Sequence, residues 1–489
     1  MATHQKGRVV IIKRIGFWGG VCAFIALCLL PTPAGLSQEG WFTLALLVLM
    51  VSWWVSEALP IGVTSLLPLV IVPLFGIGSM NAAAAPYASS IIFLLMGGFI
   101  IGKSVERWNL HERIALGVLS KVGTRPTALI AGFMLTAALL SMWISNTATA
   151  IMLLPIVLSV AARTPFEGAD KARFTIAALL GTAWAASIGG IGTPVGTTPN
   201  LIIIGFLEES GDASFTFLKW MSFGVPVMAV MLPAAFFVIT KWGPKISNDA
   251  KAPEGFFTDK LAALGKMRRP EKRVTGVFLV IAFFWIFRQA FIQDISVMGL
   301  KPFAGLNDSM IAIAGVIALF IVPSGSTREP GSRLLDWPTA AKIPWDILLL
   351  FGGGLSLAAM IQATGLSVWL GGEMSFITGL PPIAMTLLLI SFVIFFTELT
   401  SNTATTAALM PIVAAIALET GTDPAQLAIP IAMAASCAFM LPMATGPNAV
   451  IFGSGQVTMG DMAKAGFKLN LLGIVLITAV ASIIVPLVL

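Results

Sequence analysis

A fourteen-residue segment occurs twice in this chain, ISNTATAIMLLPIV at 144–157 and TSNTATTAALMPIV at 400–413, identical at nine positions. Two further pairs keep the same order and nearly the same offset. Leu95-Met96-Gly97-Gly98 corresponds to Leu350-Phe351-Gly352-Gly353 upstream, and GTTPN at 196–200 corresponds to ATGPN at 444–448 downstream. Three matches in one order mark a duplication, and a duplication at this period must be read before any single motif. Both copies are embedded in apolar blocks. The chain is 57% hydrophobic and 11% charged, whereas soluble domains carry about 25% charged residues. Several blocks approach the ~20 apolar residues that cross a bilayer as a helix. The expected fold class is therefore an all-α polytopic membrane protein.

Apolar segments are expected at 15–31, 41–57, 61–75, 89–106, 127–144, 148–162, 173–190, 200–207, 220–240, 274–292, 309–323, 345–370, 383–400, 404–418, 427–441, 449–459 and 469–489. Suppose the arms around each Ser-Asn-Thr form a re-entrant hairpin, and 173–207 and 427–459 each cross once with a break. The chain then makes about eleven crossings, with the N-terminus cytoplasmic and the C-terminus outside. Of its 29 Lys and Arg, only Lys219, Arg288 and Lys301 then lie outside, as the positive-inside rule requires. This distribution sets orientation and excludes a nucleic-acid reading of the net charge of +6. Charge counting does not separate a hairpin from two full spans. Five crossings separate the two tips, so they enter from opposite faces. That is an inverted repeat, which places a transporter's site at the interface of its halves.

The inventory for other chemistry is thin. The two histidines, His4 and His111, lie in basic polar stretches, and Cys22, Cys28 and Cys437 lie in apolar ones, where cysteine acts as a small hydrophobe. Neither a metal cluster nor a nucleophile–base pair can be assembled, so an enzyme is not expected. A channel would build its filter by symmetry around one pore, which two opposed tips do not provide.

Within hydrocarbon, irregular backbone survives only where it is buried in protein or lines a cavity. Each Ser-Asn-Thr is such an interruption. It presents the N-terminus of its second arm to an anion, while the carbonyls that end the first arm suit a small cation. Glycine and proline at 190–200 and 441–450 break the neighbouring spans in the same way. Glu398 is an ionisable residue at depth, where such a residue is functional by default. The reading set against this, and favoured, is a neutral or paired carboxyl that braces the hairpin. With no Lys or Arg near either tip in the sequence, anion binding is expected to rest on dipoles and neutral donors.

The twin Ser-Asn-Thr motifs, each followed by Ala-Thr and a later Pro-Ile, resemble the divalent-anion/sodium symporter family, which includes INDY-type dicarboxylate transporters. The resemblance runs from about residue 15 to the C-terminus. It implies a homodimer in the plasma membrane, surrounded by lipid, with scaffold and transport domains and an elevator-like movement. It further implies symport of C4-dicarboxylates such as succinate, malate or fumarate, with sodium as the coupling ion and no other cofactor. The corresponding division is a cytoplasmic N-terminus at 1–14, scaffold at 15–126, and transport domain at 127–242. A cytoplasmic linker at 243–273, a second scaffold repeat at 274–382 and a second transport half at 383–489 follow. Sodium site one would use Ser141, Ser145, Asn146 and Gly196, and site two Thr397, Thr400, Asn402 and Ala444. Substrate would meet Asn146, Thr147, Thr197, Asn402, Thr403, Thr445 and Gly446. Relatives often have proline where this chain has Thr198 and Gly446, which opens the choice of substrate. A sodium-independent dicarboxylate antiporter or a sulfate carrier of the same fold remains the alternative.

Overall fold

The computed structural model describes residues 2–164, 168–209, 215–243, 246, 255–293, 295–296, 301–373 and 381–489. Most of 244–254, in the expected cytoplasmic linker, lies outside the described residues, as does 374–380. The described residues are almost entirely helical, with one isolated bridge, Pro323 to Arg333. Among the described residues, seven helices are long and apolar enough to cross a membrane.

Both duplicated tips are hairpins of two helices. In the first, Pro126–Ser141 and Asn146–Arg163 flank a short turn, and in the second Pro382–Thr397 and Asn402–Thr420 do the same. The serine of each motif is the N-cap of its second arm. Ser145 Oγ accepts from the Ala148 amide and Ser401 Oγ from the Ala404 amide, both at 3.1 Å. A serine there satisfies an amide that the helix itself leaves unpaired. This is why the helix restarts at the asparagine in both copies. Each hairpin is followed by a broken span, Gly168–Gly190 with Thr198–Glu209 and Pro424–Ala435 with Gly446–Gly453, and then by a long helix, Phe217–Thr240 or Met459–Val488.

These pieces interlock across the halves. Gly446–Gly453 packs on Asn146–Arg163 and Gly168–Gly190, while Thr198–Glu209 packs on Asn402–Thr420 and Pro424–Ala435. Phe217–Thr240 lies against Met459–Val488. The deepest element is Gly168–Gly190, an Ala- and Gly-rich helix against Pro126–Ser141. At Gly189 a Cβ would strike the backbone of Ala138, so glycine permits this close approach of two helices. Around this unit lie Ala2–Leu29 against Gln38–Ser56, and Asp308–Ile321 against both Ser90–Arg107 and Arg269–Phe287.

Three expected segments differ in form. Segment 61–75 is two short pieces, Ile61–Thr64 and Leu67–Leu74, with Pro68 starting the second and Pro73 within it. Segment 345–370 is interrupted after Trp345–Ala363 at Gly365, whose φ of +71° suits glycine. The first helix begins at Ala2, within the segment read as a cytoplasmic N-terminus.

Candidate functional site

Both tips and both breaks line one cavity of about 520 Å³. Asn146, Thr147, Thr197, Asn402, Thr403, Thr445 and Gly446, the residues expected to meet substrate, are all in its wall, and so are Ser145, Gly196, Thr198 and Ala444. Four helices begin at this cavity: Asn146–Arg163, Asn402–Thr420, Thr198–Glu209 and Gly446–Gly453. Thr445 caps the last of these through the Asn448 amide at 3.3 Å. Each helix N-terminus is worth roughly +0.5 charge, so four together present about two positive charges. That sum matches a dianion.

Beside each tip lies a cluster of oxygens. The Asn146 side-chain oxygen faces only acceptors. The Ser141 hydroxyl is bonded to it. With the amide nitrogen turned inward instead, the Ala186 and Gly196 carbonyls lie 3.3 and 3.1 Å from it. The second half repeats the arrangement. Thr397 Oγ1 is 2.8 Å from Asn402 Oδ1 and 3.2 Å from the Ala435 carbonyl. Ser141 pairs with Thr397 and Asn146 with Asn402 at the offset of the tips, and Gly196 pairs with Ala444 at that of the breaks, while Ala186 and Ala435 lie one residue off that register. A hydroxyl, an amide oxygen and carbonyls released by an unwound helix are the ligands by which broken-helix transporters hold sodium. The residues present fit that ion in both halves.

The breaks are shaped by a second duplicated asparagine. Asn200 Nδ2 donates to the Gly190 and Thr193 carbonyls at 2.9 and 2.8 Å, and Asn448 Nδ2 to those of Ala438 and Leu441 at 3.0 and 3.1 Å. Both asparagines are fully buried. By spanning the unwound turn, each satisfies two carbonyls that a continuous helix would have satisfied itself.

A profile of the family described as "Sodium:sulfate symporter transmembrane region" matches residues 16–489. The chain belongs to this family. Among the relatives of this symporter-family chain is the sodium-dependent dicarboxylate transporter SdcS of Staphylococcus saprophyticus, 38% identical over 481 residues. That match covers 96% of this chain and 91% of the relative. The Staphylococcus aureus transporter of the same name is 37% identical over 486 residues, covering 97% and 92%. The fold is also that of the Alcanivorax borkumensis YdaH transporter, with a TM-score of 0.58, 13% identity, and coverage of 92% of this chain and 98% of that one. The symporter-family chain is an integral membrane transporter.

One expectation about the site needs correction. Lys103 and Lys342 line the same cavity as the tips, and so does Glu106. Lys103 Nζ lies 2.6 Å from Glu106 Oε2. The lysines are far from the tips in sequence, and only the packing of Ser90–Arg107 beside the breaks brings Lys103 to the wall. A cue was available in the repeat, because Gly98, in the duplicated Leu-Met-Gly-Gly, also lines the cavity one turn above Gly102 and Lys103. The hydroxyls of two expected sodium ligands have local partners: Ser145 Oγ caps its helix, and Thr400 Oγ1 bonds Thr405 Oγ1 at 2.5 Å and the Phe396 carbonyl at 3.2 Å. Sequence reading also missed the Ala186 and Ala435 carbonyls, since a backbone ligand leaves no side-chain signal.

Proposed function

We propose that this chain is a sodium-coupled symporter of C4-dicarboxylates such as succinate, malate and fumarate. The convergence of four helix N-termini on one cavity, between two matching oxygen clusters, carries this reading. A four-carbon dianion suits a 520 Å³ space whose positive ends come from both halves, one carboxylate answering each tip. The names of the staphylococcal relatives, sodium-dependent dicarboxylate transporters, support the same choice. Sodium bound beside each tip fixes Asn146 and Asn402 with their amide nitrogens toward the substrate, so ion and anion bind together. Alternating access follows from an elevator-like displacement of the interlocked unit against the outer helices, within a homodimer whose exposed apolar surface, including Leu29, Val70, Phe283 and Ile321, meets lipid or the partner copy. In this reading the N-terminus is cytoplasmic and the C-terminus outside.

Uptake of labelled succinate into proteoliposomes is the test. It is expected to require an inward sodium gradient and to be inhibited by malate and fumarate but weakly by sulfate. Equal exchange in potassium alone would replace the symporter with an antiporter, and stronger inhibition by sulfate would replace the dicarboxylate.

Lys103 and Lys342, with one positive charge offset by Glu106, leave the approach to the site net cationic, and such a charge in a cleft concentrates the opposite ion. Converting both to glutamine is expected to raise the succinate KM on the cytoplasmic side about tenfold at low salt. The difference shrinks as salt screens the charges. The KM on the outer side stays unchanged, which sided assays in oriented vesicles measure.

A further inference from the structure

The two halves brace their breaks with different chemistry. In the first half, Trp220 Nε1 donates to the Ile191 carbonyl at 2.9 Å. The Ile191 and Gly192 amides turn back onto the Ile188 and Gly189 carbonyls at 3.2 and 2.9 Å. In the second half the corresponding amides are held by a side chain. Glu398 Oε1 accepts from the Phe439 and Met440 amides at 2.7 and 2.8 Å, and Oε2 from the Leu441 amide at 2.9 Å. Asn470 Nδ2, on the closing helix Met459–Val488, donates to Oε1 at 2.8 Å. At the offset that relates the tips, Met142 stands where Glu398 does. Only the second half therefore carries a carboxylate at this place.

All four groups around Glu398 are donors, and three are successive backbone amides. Such a nest surrounds an anion, and an ionised carboxylate is acceptor-only. The side chain is buried, with 3% of its surface exposed, and none of its four partners carries a charge. A buried charge answered only by neutral donors is costly unless a counter-ion is near. The nearest place for one is next door. Thr397, the preceding residue, supplies the hydroxyl of the second oxygen cluster, and the loop that Glu398 holds runs on to Ala444 in the cavity wall.

We propose that Glu398 is the fixed negative charge of the second sodium site, so the two sodium sites are unequal and the second fills at lower sodium. This rests on the sodium-coupled reading. Glu398 is a positioning residue: it touches neither substrate nor ion, but sets the course of 439–444 and the potential beside Asn402. The first site, with Met142 in the equivalent position, depends on neutral oxygens alone and fills afterwards.

The test is sodium titration of the thermal stability of the purified full-length protein without substrate, with choline replacing sodium at constant ionic strength. Glu398→Gln is expected to raise the sodium midpoint about tenfold or more, and Glu398→Asp to recover part of that shift. An unchanged midpoint in Glu398→Gln overturns the proposal. Should that variant not fold, the ligand pair decides. Thr397→Val is expected to move the low-sodium transition, whereas Ser141→Ala leaves it in place and moves the later one. The reverse order overturns the unequal sites. A wild-type protein that sodium does not stabilise removes the sodium-coupled reading itself, an outcome distinct from either of the others.

Discussion

Asn146→Ala and Asn402→Ala each lower sodium-driven succinate uptake by at least about a hundredfold, with the protein still folded and membrane-inserted. Metal-site changes one shell further out already cost about 10–100-fold, and in the proposed site each asparagine stands at the shared boundary of ion and anion. Its side-chain oxygen lies among the cluster oxygens, and its backbone begins a helix at the cavity. Alanine keeps the helix start, since Ser145 and Ser401 supply the caps, but removes a ligand from the ion and a donor from the carboxylate. Asn→Asp separates the two roles. An added carboxylate strengthens sodium binding and repels the dianion, so Asn146→Asp is expected to bind sodium more tightly while failing to transport. Uptake assays together with sodium-dependent thermal stabilisation measure both. Normal uptake by either alanine variant would remove that tip from the site.

The near equality of the two halves explains why so much of this site is legible in the sequence. A Ser-Asn-Thr in an apolar run reads as a restart, because serine caps and asparagine and threonine cannot be left unpaired in hydrocarbon. Its recurrence at 401–403, with a glycine- and proline-rich break after each copy, places four helix starts before any coordinates are known. What the pattern does not carry is anything contributed by backbone or by distant packing. Ala186 and Ala435 present carbonyls to the two oxygen clusters, and any small residue would present the same oxygen. Lys103, on Ser90–Arg107, and Lys342, in the turn before Trp345–Ala363, reach the cavity by tertiary placement of segments that carry no part of the Ser-Asn-Thr repeat. Glu398 was visible as an ionisable residue in an apolar run, but its bracing role depends on three amides some forty residues later in the chain. Helix boundaries moved where prolines cluster, as at Pro68 and Pro73, because composition alone gives a continuous apolar block there.

The departure at Gly446 makes the second large prediction. Its backbone does not demand glycine, since φ is not positive there, and the equivalent position in the first half carries the side chain of Thr198. The demand comes from across the cavity. A Cβ on Gly446 would collide with the Thr147 hydroxyl and lie 3.0 and 3.1 Å from its Cβ and Cγ2, so the second break and the first tip are in direct contact at the substrate wall. Gly446→Ala therefore displaces the Thr147 side chain, which lines the cavity. The expected result is a rise in succinate KM of roughly a hundredfold, because a shift of about 1 Å at a positioned group costs about that much. Sodium binding should change less, since the contact is with the Thr147 side chain and not with Ser141 or Asn146. Thr147→Ala removes the colliding hydroxyl and methyl at the price of one substrate donor. Introduced into that background, Gly446→Ala should cost only a few-fold, and this non-additivity is what residues in contact show. A double-mutant cycle on succinate KM measures it. Additive costs would mean that Gly446 serves its own helix start and not the junction between the two halves.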